Sequence, residues 1–219
     1  GDNLETTRNE DGFSTGRELP LHDIDYREQL EKLIAFSEGV PVTIFSCLAA
    51  HFALHHLHGL NRKILDKKIS GVFSHDILDP DDALMKGMGD IMVSPHSRWG
   101  DVDMEEVEQV AGLRVLAASE QAGWLAVRED LPNGNVRVYL QGHPEYDRHD
   151  LDEEYRRDRG KMDVFMPQNY YPENDCSQTP NCNWPPYTRV LHENILGETY
   201  RIIEARRIAA QSAETPPGA

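Results

Sequence analysis

The sequence of 219 residues has no apolar run long enough to read as a membrane-spanning helix. It is also short of positive charge: Lys and Arg total 22 against 38 Asp and Glu, a formal net charge of −16. Nucleic-acid binders neutralise phosphates with clustered Lys and Arg, so the charge argues against general nucleic-acid binding and against attachment to anionic membranes. A small anionic ligand needs only a few local cations and stays open. Cysteine is scarce, limited to Cys47, Cys176 and Cys182. An odd number without tight spacing makes a poor disulfide framework, although Cys176 and Cys182 could pair. No CxxC or matching His pattern marks a zinc site. The opening GDNLETTRNEDGFSTG has the form of neither a signal nor a transit peptide, so cytoplasm is the expected compartment. No internal repeat is present.

What is there suffices for a core, with 39% hydrophobic residues. The expected organisation is a polar lead-in over 1–12, a single α/β domain over 13–210 and a frayed tail over 211–219. Residues 25–36 place Leu30, Leu33 and Ile34 on one helical face, with Asp25 and Glu28 as a capping box and Gly39 as a stop. A strand at 42–45 leads into a helix from Leu48 to His58, closed by Gly59. Short strands are expected at 71–75 and 90–94. Three more follow at 113–119, 123–129 and 136–142, with Asn133-Gly134 as a turn before the last. A charged helix over 150–161, a Pro- and Asn-rich loop over 169–187 and a final helix over 189–210 complete the reading. Interleaved helices and strands predict an α/β sheet with helices on both faces.

The stretch VTIFSCLAAHFALHH, residues 42–56, puts Cys47 at the joint between strand and helix. A thiol there feels the positive end of the helix dipole and is expected to ionise near neutral pH. The N–H of Leu48 is then half of an oxyanion hole. The plainer account is a buried structural cysteine. The segment QGHPEYD, 141–147, follows a strand and sets His143 and Glu145 two apart, so both point the same way. Alone, such a pair is ordinary surface chemistry. With Cys47 at another strand end it completes a nucleophile, a base and a carboxylate that orients the base. In SPHSRW, 94–99, Ser97 offers a hydroxyl and Arg98 a cation for an anionic group, or both serve local hydrogen bonds. Glu154 and Arg157 lie three apart on a helix, the spacing of a surface ion pair. His51, His55 and His58 form a helical stripe. Without the Glu of an HExxH pattern or an obvious third ligand, packing explains them better than a metal.

The order Cys, then His-x-Glu, with the Cys on a strand–helix elbow, resembles the class I glutamine amidotransferase fold. The finer resemblance is to the homoserine O-succinyltransferase and O-acetyltransferase family. It is carried by FSCLAA (45–50), DKKISGVFSH (66–75), SPHSRW (94–99), GHPEYD (142–147), EEYRRD (153–158), QNYYPEND (168–175) and Asn183-Trp184, over about residues 23–200. The resemblance implies a three-layer, flavodoxin-like α/β sheet and ping-pong acyl transfer in methionine biosynthesis. Cys47 would take the acyl group from an acyl-CoA co-substrate, His143 would act as base and Glu145 would orient it. Lys68 and Ser97 would lie near the acyl site. Glu154 and Arg157 would grip the amino and carboxylate groups of homoserine or a close relative. No bound cofactor is implied, and a homodimer is.

The sequence departs from the family at three places. Leu48 stands where Trp usually follows the nucleophile, and WPPY (184–187) where Arg-Ser-His usually follows the Trp. STGRELP (14–20) resembles a family loop, but the residues before it cannot form buried strands, so the first strands of the sheet are expected to be missing. A glutamine amidotransferase and a non-catalytic relative are the rival readings. The first prefers glycines around its nucleophile, where this sequence has Phe45 and Ala49.

Overall fold

The structure is a computed structural model and describes Leu21, residues 26–160 and residues 164–214. The expected lead-in, the 14–20 loop and the cap at Asp25 lie outside the described residues, as do residues 161 and 215–219; the helix expected over 150–161 ends at Asp158.

The chain runs α1 (Arg27–Ser37), β1 (Val42–Ser46), α2 (Leu48–His58), β2 (Arg62–Ile77), β3 (Ile91–Val102), α3 (Met104–Glu108), β4 (Leu113–Ser119), β5 (Gly123–Asp130), β6 (Val136–Leu140), α4 (Asp150–Asp158) and α5 (Pro185–Glu214). One mixed six-stranded sheet has the order β1-β6-β5-β4-β2-β3. Among the described strands β1 and β6 run parallel and the other neighbours are antiparallel.

Strand alternation sends successive side chains to opposite faces and builds two cores. On one face Phe45, Trp124, Val127 and Tyr139 pack with Ile34 of α1, Phe52 and Leu54 of α2 and Val107 of α3. On the other, Leu116, Leu125, Val138 and Leu140 pack with Leu84, Met85 and the α5 residues Leu191, Ile195 and Ile202. Helices therefore cover both faces, as the sequence predicts. A third cluster of Val72, Val93, Leu151, Tyr170, Tyr171 and Trp184 seats α4 and the Pro/Asn-rich segment. Among the described residues no helix is long and apolar enough to cross a membrane.

Three features differ from expectation. The two short strands at 71–75 and 90–94 are the loop-proximal end of a long hairpin, with β2 of 16 residues and β3 of 12. The 169–187 loop ends earlier, because α5 starts at Pro185; a proline needs no N–H bond in the first turn and its fixed φ suits it. That helix also continues to Glu214, past the expected start of the tail. At the sheet edge, β1 borders an apolar groove of about 410 Å³ walled by Leu30, Ile34, Val42, Ile44 and Phe52. Leu33 and Phe36 at its rim are exposed.

Candidate active site

The parallel pairing of β1 with β6 creates the site. Ser46 sits opposite Leu140, so the chain leaves both strands at neighbouring carboxyl ends, where open α/β sheets gather their chemistry. Cys47 caps α2 with φ 50° and ψ −115°, a backbone conformation that a residue with a Cβ rarely adopts. The strain is held by β6, whose Leu140 carbonyl accepts from the Cys47 N–H at 2.7 Å. Leu48 is the first residue of α2, so its N–H has no acceptor within the helix.

Beyond β6 the chain turns under β3. The His143 N–H donates to the Pro95 carbonyl at 2.7 Å. Gly142 makes this approach possible: a Cβ there would meet the Pro95 carbonyl oxygen, His96 Nε2 and Leu125 Cδ1, each at 2.8 Å. His143 is buried, and its Nδ1 lies 2.7 Å from Glu145 Oε1. Burial pushes the Glu145 carboxyl up, but the hydrogen bond and charge of His143 outweigh it, and it stays below the usual carboxylate range. An ionised Glu145 can only accept, so Nδ1 donates to it and Nε2 is the ring nitrogen that Glu145 leaves unused. That Nε2 is buried without a hydrogen-bond partner among the described residues. It shares a pocket of about 220 Å³ with Cys47; Tyr26, Leu30, Ser46, Leu48, Ala49 and Glu145 complete the wall.

A second cavity of about 630 Å³ opens beside the first, with Glu145 lining both. Its other walls are Tyr146, Asp150, Glu153, Glu154 and Arg157. Glu154 is the hub. Its Oε2 accepts from Lys68 at 3.0 Å and from the Ser97 hydroxyl, and its Oε1 accepts from the Tyr146 phenol at 2.7 Å. Burial again pushes the carboxyl up; Lys68, Ser97 and Tyr146 together hold it below its ordinary value. Lys68 reaches Glu154 from an irregular stretch of β2, where the register with β3 shifts between Ile64 and Ile69 and a bulge re-aims the side chain. Burial and the Glu154 charge push the Tyr146 phenol well above its usual range, so it stays a donor.

The structure thus brings together Cys47, Leu48, His143 and Glu145, and beside them Lys68, Ser97, Glu154 and Arg157. Glu154 and Arg157 do not pair with each other. Arg157 forks onto its neighbour Asp158 at 3.0 and 2.6 Å, at the rim of the cavity. Arg98 is not brought to the site, which corrects its reading as a cation for an anionic group. Alternation along β3 turns it away from Ser97. Fully buried, it donates to the Gly100 and Ala122 carbonyls at 2.6 Å and to Asp101 at 3.0 Å. The histidine stripe of α2 has separate partners: His51 meets Gln141 and Arg62, and His55 meets the Leu60 carbonyl. Cys176 and Cys182 are unpaired thiols.

Sequence reasoning missed Tyr146. Its signal lies in HPEY: a tight turn, closed by the Tyr146 N–H donating to the His143 carbonyl at 3.1 Å, carries an aromatic ring back over the imidazole. The centroids are 4.2 Å apart and the planes 21° from parallel.

A mixed sheet covered on both faces, with a cysteine elbow at the end of one parallel strand and a His-x-Glu turn at the end of the next, defines the class I glutamine amidotransferase type of α/β fold. A glutamine amidotransferase from Thermotoga maritima superposes with a TM-score of 0.50 over 81% of this chain and 68% of its own, at 14% identity. The chain belongs to the homoserine O-succinyltransferase family, whose model matches residues 13–204. It is 40% identical over 187 residues to the homoserine O-succinyltransferase of Pseudoalteromonas atlantica, covering 83% of this chain and 60% of that protein. It is 40% identical over 182 residues to the homoserine O-acetyltransferase of Desulfovibrio desulfuricans, covering 81% of this chain and 56% of that one. The chain therefore spans about 60% of the length of the curated relatives it matches.

Proposed function

We propose that the protein is an acyl-CoA-dependent O-acyltransferase acting on homoserine or a close hydroxy-amino acid in methionine biosynthesis. The observation that carries this reading is His143, held through Nδ1 by Glu145 and lining the same pocket as Cys47, with its Nε2 buried and without a hydrogen-bond partner among the described residues. Family membership and the names of the relatives supply the reaction class.

Cys47 loses its proton to His143 and attacks the acyl-CoA thioester. The oxyanion rests against the Leu48 N–H, and CoA leaves as its thiol, taking that proton from His143, as the acyl-cysteine forms. His143 then takes the proton of the amino-acid hydroxyl, which attacks the acyl-cysteine and frees the thiol. The small pocket beside Cys47 suits the acyl group. The wider cavity suits the amino acid: its carboxylates favour an ammonium and Arg157 a carboxylate. In the same reading no bound cofactor is needed, and the working unit is a homodimer. The test is O-acyl-homoserine production from acetyl-CoA or succinyl-CoA. Wild type is expected to form the ester and Cys47→Ser to form none; normal turnover in Cys47→Ser places the nucleophile elsewhere. Ammonia release from glutamine with no ester would favour the amidotransferase reading.

A further inference from the structure

Glu145 alone cannot fix the plane of His143. One hydrogen bond leaves the imidazole free to rock about the N–H···O line, and the Glu145 side chain is 49% exposed, where water competes for it. Tyr146 supplies the missing constraint. Its ring lies nearly flat on the imidazole. Its N–H is held by the His143 carbonyl, its own carbonyl accepts from Trp184 Nε1 at 2.7 Å, and its phenol is tied to Glu154. With its backbone N–H and carbonyl both held, Tyr146 keeps its ring stacked on the imidazole and leaves that second ring little freedom, and both backbone anchors remain when the phenol is removed.

We propose that Tyr146 is a positioning residue for His143, its stacked ring holding Nε2 toward Cys47. The ring does this; the phenol serves Glu154 on the amino-acid side. The proposal rests on the reading of Cys47 and His143 as nucleophile and base.

The experiment is alkylation by iodoacetamide at neutral pH, with the rate at each cysteine read separately by peptide mass. It needs no acyl donor or amino acid. Wild type, Tyr146→Phe and Tyr146→Leu are compared. Tyr146→Phe keeps the ring, and its Cys47 rate is expected to stay within about twofold of wild type. Tyr146→Leu is expected to slow Cys47 about tenfold, the scale of a misplaced catalytic group, with Cys176 and Cys182 unchanged. A general structural role would move all three cysteines. If Tyr146→Leu accelerates all three it has unfolded, and Tyr146→Met is read against the same thresholds. An unchanged Cys47 rate without the ring, or a Phe variant as slow as the Leu variant, overturns the proposal. A wild-type Cys47 that reacts no faster than Cys176 and Cys182 overturns the underlying reading, and the proposal with it.

Discussion

The backbone at Cys47 makes a prediction about stability that is independent of catalysis. At φ 50° and ψ −115° the residue occupies a region where a Cβ is strained and a glycine is not. Replacing Cys47 with Ala removes the thiol and keeps the strain, whereas Cys47→Gly removes both. Strain of this kind costs about 1–3 kcal/mol. Against that, glycine costs about 0.5–1 kcal/mol more conformational entropy than alanine. The difference leaves the Gly variant more stable than the Ala variant by about 1 kcal/mol. At an unstrained position the order is reversed, so the sign alone is diagnostic. For a chain of this size about 1 kcal/mol corresponds to roughly 2–4 °C in Tm. Thermal unfolding of the two variants, supported by urea midpoints at equal m, measures it. An Ala variant that melts at or above the Gly variant would refute the claim that the elbow stores strain at Cys47.

Arg157→Ala should raise KM for the amino acid severalfold while leaving KM for acyl-CoA nearly unchanged; equal effects on both would remove Arg157 from the amino-acid cavity. A second expectation concerns acid stability. Glu198, buried on α5, is hydrogen-bonded by Arg201 and Arg128, which hold its carboxyl down to about 2 against burial. Because the folded value is depressed, its stabilisation is complete above the ordinary carboxylate range and fades as pH falls toward 2. The shift corresponds to about 3 kcal/mol. The gap in urea stability between wild type and Glu198→Gln should therefore narrow as pH falls from 5 to 3; a constant gap would contradict the coupling.

Much of this was legible in the sequence where one signal dominated. α2 is bounded by a strand-like run and by Gly59, whose φ of 71° supplies the left-handed stop. β4, β5 and β6 are apolar runs set between turns. The outer half of the β2–β3 hairpin was not legible, because Arg62, Lys63, Asp66, Lys67 and Lys68 carry no strand-like alternation; Arg62 and Lys63 pair with β3, and the register shifts between Ile64 and Ile69 across the others. α3 is a five-residue helix started by the Asp103 side chain accepting from the Glu105 N–H, too short for periodicity to show. In the site, Cys47, His143 and Glu145 stand out because their local spacing is chemical. Arg98 misled because a cation next to Ser97 looks available, while strand alternation turns it into the protein interior. The partners of Glu154 come from β2, β3 and the turn after β6, and no local pattern joins them.

The most direct test is the intact mass of the protein after mixing with acetyl-CoA, and separately with succinyl-CoA, without amino acid. One donor is expected to add a single acyl increment on Cys47, which homoserine then discharges. No increment from either donor, or an increment that persists in Cys47→Ser, would contradict the acyl-cysteine mechanism.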